Sequence, residues 1–300
     1  MSVIDDLKLI ATGRVTESEP MAGYTTLGVG GPADYFVEVS NEDELSALML
    51  YISRHEIPWM VIGDGANLLV SDRGIRGIVI KLGEQFSSIE VQGRQIVAGS
   101  AARISRVADI AAKNNLSGLE GVGTVPGSVG GAIVMNAGTH RGYIDEVTDS
   151  VRVVTDTGEK KTLQRAKCGF SYRNSRFQYD KSLIITYASF KMKTGDGEAI
   201  AQHLEGVRKH RADTQPQGKS AGCFFKNPTG LSAGGLIDGA GCKGMREGGA
   251  VVSEIHGNFI MNAHNATASD LYTLAEKVKK LVKDIHGVDL EYEVRLVGEW

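Results

Sequence analysis

The strongest periodic signal in the chain runs from Ser269 to His286. Leu271, Leu274, Ala275, Val278, Leu281, Val282 and Ile285 recur at intervals of three and four, which predicts a helix with one apolar face. Gly287 follows as its C-cap. A second helix is predicted from Asn41 to about Glu56, with Leu45, Leu48, Met49 and Ile52 as its stripe and Asn41 and Glu44 as a capping box. A third, with Ser100 read as its N-cap, carries Ile104, Val107, Ala108 and Ala111 and stops at Asn114–Asn115. Asp196–Arg211 reads as a helix whose basic end, RKHR, suits the helix dipole. Short apolar or alternating runs between these predict strands: YFVEV at the end of Thr25–Val39, Trp59–Ile62, GIVIKL (77–82), SIEV, QIVAG and Leu183–Met192. VRVVTDTGEKKTL (151–163) predicts a hairpin turning at Asp156-Thr157-Gly158. The polar, turn-rich TQPQGKS (214–220) marks a boundary. Beyond it the pattern predicts a short helix at Ser232–Ala240, strands within Val251–Ile260, and a final strand, LEYEVRLVG.

Three stretches fit neither period, and all three are rich in glycine. They are GVGGPAD (28–34), GDGANLLVSDRGIRG (63–77) and GVGTVPGSVGGAIVMNAG (121–138), the last holding six glycines in eighteen residues. Glycine lets a ligand approach the backbone, and successive exposed N–H groups form an anion-binding concavity, most often for phosphate. Three such loops on one chain imply a large nucleotide cofactor gripped along its length. Composition sharpens this reading. Glycine is 38 of 300 residues while proline is only six, a pattern of tight turns and close approaches, not of disorder. Net charge is −3, so nothing global attracts nucleic acid or an anionic membrane, and an anionic ligand must be held by local groups. Three cysteines without metal-like spacing imply reduced thiols, hence a cytoplasmic setting, and the scattered histidines suggest no metal. The N-terminus lacks an apolar signal core, and no apolar run approaches the ~20 residues that span a bilayer.

Two nucleotide-binding motifs fail on context. GVGGPA at 28–33 fits GxGxxA but leads into a strand-like stretch where a Rossmann fingerprint needs a helix. Gly218-Lys219-Ser220 ends like a P-loop, but the glycine required five residues earlier is Asp213. The loops alone leave three readings open: an FAD oxidase or dehydrogenase of a small alcohol or hydroxy acid, a non-redox nucleotide-sugar enzyme, and a binding module without catalysis.

Seven stretches taken together narrow the choice. TTLGVGGPAD, GDGANLLVSDRGIRG, LSGLEGVGTVPGSVGGAIVMNAG, FSYRNSRF, SAGCFFKNP, GGLIDGAGCKGMREGGAVVSEIHGNFIMN and LEYEVRLVG follow one another between Thr25 and Gly298. In this order and spacing the chain resembles the MurB-type UDP-N-acetylenolpyruvoylglucosamine reductases of bacterial cell-wall synthesis. The resemblance implies an α+β protein with an FAD-binding fold of the vanillyl-alcohol-oxidase-like type in two subdomains, residues 1–82 and 83–213. A C-terminal α+β substrate-binding domain, 214–300, completes the expected division. The implied activity is an oxidoreductase one. NADPH reduces bound FAD, and UDP-N-acetylglucosamine enolpyruvate then accepts hydride and a proton to give UDP-N-acetylmuramate, a peptidoglycan precursor needed for cell shape and division. A monomer or weak oligomer is expected, in the compact family form.

Residue by residue, the resemblance places Arg173, Cys223 and Glu293 in the catalytic roles. Arg173, in SYRNS, would bind the substrate carboxylate as charge develops there. Glu293 would help polarise that carboxylate, a role that calls for a raised pKa. Cys223 stands where the family usually has serine as general acid. A thiol with an unperturbed pKa of about 8.5 is a far better acid than an alcohol. Tyr172, Arg211, Lys226 and Asn227 are expected to contact substrate. The pyrophosphate cradle is expected at Gly63, Asp64, Gly65, Ala66, Asn67 and Leu68, with Ala66 where the family often has serine. Gly123, Thr124, Pro126, Gly127, Ser128, Gly130, Gly131, Asn136 and Gly138 would lie along the flavin and its phosphates. Without the resemblance, each of these residues has a bland reading as a packed glycine or a solvated polar side chain.

Overall fold

A computed structural model describes residues 2–139 and 141–300. The chain forms two compact units. The first comprises Met1–Glu17, Tyr35–Asp64 and Gly77–Lys209; the second comprises Ser18–Asp34, Gly65–Arg76 and His210–Trp300.

The first unit holds most of a four-stranded sheet, in the order Val15–Pro20, Pro32–Val39, Ile75–Leu82, Trp59–Ile62. Its last two members run parallel, with Trp59 opposite Ile78. The helix Glu42–His55 covers this sheet with the expected stripe, all four residues buried. Its start differs in detail from a capping box. The Asn41 side chain accepts the N–H groups of Asp43 and Glu44, but the Glu44 carboxylate returns to the N–H of Ser40, one residue earlier. A five-stranded antiparallel sheet follows the order Lys160–Gln164, Thr148–Thr155, Leu183–Lys191, Gln95–Gly99, Ile89–Gln92. The expected hairpin supplies its first pair. Ile96, Ala98, Val151, Val153 and Phe190 from this sheet pack with Ile104, Val107, Ala108 and Ala111 of the helix Ile104–Lys113 into one core.

The second unit carries the helix Ala268–His286, which begins at the N-cap Thr267 and ends at Gly287 in a left-handed conformation. Five members of its stripe are buried, Leu281 is half-buried, and Ile285 is exposed, so the apolar face is shorter than its sequence period. The helix packs with the helix Ala233–Gly239 and a three-stranded antiparallel sheet of Arg246–Glu247, Ala250–Val252 and Ile260–Asn262. The expected long final strand is reduced to Arg295–Val297, paired in parallel with Leu68–Val70, because the chain bends at residues 293 and 294. Alternation survives the bend: Leu290 and Val294 are buried, and Glu291 is exposed. Among the described residues no helix is long and apolar enough to cross a membrane.

Candidate active site

In the first unit the main glycine run is not all loop. Val129–Met135 is a helix, because Val129, Ala132 and Ile133 form a buried stripe whose packing overrides the poor helix propensity of glycine. Its first amides are all used. Val129 N–H bonds to the Ala102 carbonyl and Gly130 N–H to the Ser100 carbonyl, both at 2.8 Å, and the Ser128 hydroxyl accepts from Gly131 N–H. Ser100 therefore serves this short helix and does not cap the next one. The helix Ile104–Lys113 starts instead at Arg103, with the Ile104 N–H on the Gly127 carbonyl.

The strand Trp59–Ile62 delivers Gly63 to the same place. A Cβ on Gly63 would lie 2.7 Å from Ser128 Oγ, so glycine is what allows the two loops this close. Lys81 Nζ donates to the Gly63 carbonyl at 3.0 Å, and Asp64 lies 3.9 Å from the Arg103 guanidinium. Thr124 Oγ1 is buried with no hydrogen-bond partner among the described residues. A buried hydroxyl in that state calls for an acceptor or donor from outside the protein. Gly127 has φ +120°, which a side chain rarely adopts, and Pro126 is exposed beside it. Small residues, a spare hydroxyl and a close loop pair fit the phosphates of a dinucleotide such as FAD.

The other glycines divide by cause. A Cβ on Gly123 would meet Ala108 Cβ at 2.5 Å, so packing requires that glycine, and one on Gly130 would crowd Ser100 Cβ at 3.0 Å. Gly131 has room for a Cβ. Asn136 and Gly138 have a different task. Asn136, buried and left-handed at φ +43°, donates to the Ser171 carbonyl at 3.0 Å. The Gly138 carbonyl accepts from the Arg173 guanidinium at 2.9 Å. Ser175 Oγ and Gln178 Nε2 both donate to the Val134 carbonyl, and Gln178 also reaches the Arg173 carbonyl. The turn that presents Arg173 is thus bolted to the C-terminal end of the Val129–Met135 helix. Arg173 itself sits at φ +52°, a left-handed position that costs a non-glycine residue about 1–2 kcal/mol. Such a residue persists only where its surroundings over-determine it, and such positions concentrate at functional sites. Its guanidinium carbon lies 5.6 Å from the ring centre of Tyr172, which is half exposed.

In the second unit the segments carrying Cys223 and Glu293 meet through backbone. Glu293 N–H donates to the Phe224 carbonyl at 2.9 Å, and Val294 N–H shares that acceptor. Asn258, buried, clamps Phe225 from both sides: its carbonyl oxygen accepts Phe225 N–H and its amide donates to the Phe225 carbonyl. Phe225 stacks on Tyr292 at 5.4 Å between ring centres, and Tyr292 OH donates to Glu276. Burial, with Glu276 adding to it, pushes the Tyr292 phenol far above its usual pKa, so it stays a donor. Cys223 is half-buried and in no disulfide. Burial lowers the pKa of the Arg211 guanidinium while the Cys223 charge raises it, so the two groups feel each other.

The remaining candidates are less uniform. Lys226 pairs with Glu291 at 3.1 Å. Asn227 uses its side-chain oxygen on the Ala233 N–H, at the start of the Ala233–Gly239 helix. Gly65 has φ +62°, and a Cβ there would lie 1.9 Å from the Tyr24 carbonyl oxygen. Ala66 is half-buried, and Leu68 opens the strand that pairs with Arg295–Val297. Asn67 directs its amide to the Glu293 carbonyl. Sequence reasoning missed Phe224, Asn258 and Tyr292 as the frame of the Cys223–Glu293 pair. They lie in the quoted stretches, but spacing gives no sign that residues 224 and 293 meet.

Comparison with known proteins identifies the family and the fold. Residues 214–297 match the model of the UDP-N-acetylenolpyruvoylglucosamine reductase C-terminal domain, and residues 33–164 match an FAD-binding domain. UDP-N-acetylenolpyruvoylglucosamine reductase of Bacillus velezensis is 39% identical over 298 residues, covering 99% of this chain and 98% of that protein. The Bacillus subtilis protein of the same name is 39% identical over 297 residues, covering 99% and 98%. The crystal structure of the Thermus caldophilus enzyme of that name superposes with a TM-score of 0.82 at 37% identity, over 95% of this chain and 98% of that one. These matches span both units and the full set of quoted stretches. The chain belongs to the UDP-N-acetylenolpyruvoylglucosamine reductase family, with the FAD-binding fold of that family.

Proposed function

We propose that the chain reduces UDP-N-acetylglucosamine enolpyruvate to UDP-N-acetylmuramate with NADPH, acting in the cytoplasm as a monomer or weak oligomer. The Gly63 loop, Thr124, Gly127 and Ser128 would hold FAD, which when bound passes hydride from NADPH to the vinyl group. Arg173 binds the substrate carboxylate, where its fixed charge opposes the negative charge that develops. Glu293 polarises the same carboxylate. The Cys223 thiol gives its proton to the carbon next to the carboxylate, and the thiolate then recovers a proton from water. Arg211 steadies the thiolate in the interval. Lys226 and Asn227 take the anionic part of the nucleotide, and Tyr172 lines the sugar or nicotinamide position.

The observation that carries the residue assignment is the Glu293 N–H on the Phe224 carbonyl. It brings two proton-bearing groups seventy positions apart onto neighbouring chain segments. The test is an anaerobic visible spectrum with NADPH and then the enolpyruvyl substrate. A flavin band that bleaches with NADPH and returns only with substrate is expected. A band that ignores NADPH points to the oxidase reading, and a protein that cannot take up FAD removes the cofactor assignment.

A further inference from the structure

We propose that Asn67 is a positioning residue for Glu293, so that the loop expected to cradle the cofactor also sets the place of the acid. The inference rests on the role proposed above for Glu293. Asn67 Nδ2 donates to the Glu293 carbonyl at 2.9 Å, and the Asn67 carbonyl accepts Arg295 N–H at 3.0 Å. Glu293 N–H is taken by Phe224. Both polar backbone groups of the acid are therefore held, by two different segments. This matters because the chain bends at 293 and 294 and regular pairing with Leu68–Val70 resumes only at Arg295. At the bend the Asn67 amide holds the Glu293 carbonyl.

The residue type is specific. A carboxamide is a donor short enough to reach a neighbouring carbonyl, while aspartate has the same shape but, ionised, can only accept. With its amide spent on Glu293, the Asn67 side chain has another task than binding phosphate. Loss of the clamp frees the acid's backbone, and a displacement near 1 Å costs about 10²-fold in rate at a positioned group.

The test uses Asn67→Ala, the isosteric Asn67→Asp, Glu293→Gln and the Asn67→Ala/Glu293→Gln double variant. In the apo protein, hydrogen–deuterium exchange over residues 291–297 should rise for both Asn67 variants. In the FAD-loaded protein, substrate-driven reoxidation should slow at least ~10-fold, and by more than NADPH-driven reduction slows. The double variant should be no slower than Glu293→Gln, because Asn67 acts through Glu293. Unchanged exchange, or single losses that multiply in the double variant, overturns the proposal. If Asn67→Ala does not fold, Asn67→Asp carries the same test. A Glu293→Gln variant as fast as the parent overturns the catalytic role of Glu293 instead, and exchange alone then decides whether Asn67 holds the segment.

Discussion

The stretches around Gly63–Ser128 and around Cys223–Glu293 fix their functional groups by opposite means. The first works by subtraction: side chains are missing, so that loops nearly touch and backbone groups do the holding. Gly63 against Ser128 and Gly123 against Ala108 both depend on an absent Cβ. The second works by addition. Phe225 stacks on Tyr292 and Phe224 meets both rings edge-on, beside a bidentate Asn258, so large side chains hold the backbone in place. A frame of the first kind has no slack for added atoms. One of the second kind is sensitive to their removal and tolerant of exchange at its edge.

The largest effect is expected at Arg173, which the turn bolted to the Val129–Met135 helix presents. Arg173→Ala should slow substrate-driven flavin reoxidation by about 10³-fold, as for removal of a preorganised charge, while thermal stability barely moves. Loss of the Gly138 hydrogen bond is a modest cost in stability, and alanine keeps the Cβ and with it the left-handed strain. A large fall in melting temperature would mean that Arg173 holds the frame more than it serves it. Next comes the thiol at the edge of the aromatic frame. Cys223→Ala should reoxidise about 10²-fold more slowly with NADPH reduction intact, and Cys223→Ser should keep substantial activity. Equal rates for Cys223→Ala and the parent would take the thiol out of the reaction.

The subtractive frame is tested most directly by one methyl group. A Cβ on Gly138 would lie 2.3 Å from the Tyr143 ring and 2.7 Å from the Gly142 carbonyl oxygen. Gly138→Ala should therefore cost about 1–3 kcal/mol in denaturant unfolding and weaken the Arg173 step with it. If stability holds but the Arg173 step fails, the packing account of Gly138 is wrong.

The sequence displayed these two frames unequally. The helix stripes of 42–55 and 268–286, the 156–158 turn and the buried strands were legible because each is a local pattern of period 3.6 or 2. The Val129–Met135 helix was hidden, because three of its flanking and internal residues are the glycines that argue for loop, and only burial of Val129, Ala132 and Ile133 decides otherwise. Arg173, Cys223 and Glu293 were nameable through family resemblance, not through local physics. Neither the left-handed turn at Arg173 nor the meeting of 224 with 293 leaves a periodic trace.

The smallest effect concerns the helix that backs the aromatic frame. Hydrogen bonds from the N–H groups of Thr267 and Gly249 hold the Asp270 carboxyl below its ordinary value. A depressed carboxyl contributes stability above its unfolded pKa of about 3.9 and loses it as pH falls through the lower folded value. Asp270→Asn should therefore flatten, slightly, the loss of unfolding midpoint between pH 5 and 3. An unchanged slope would show that the cap contributes nothing there.

The parallel pairing of Leu68–Val70 with Arg295–Val297 has a consequence in time. Asn67 and Glu293 are 226 positions apart, and at ~5–20 residues per second a ribosome needs roughly 10–45 s to make the intervening chain. Throughout that interval the strand after the glycine loop has no partner, while the Val129–Met135 helix and its contacts can already form. The second unit is thus the last part to be completed, and the Asn67–Glu293 link closes only once synthesis ends.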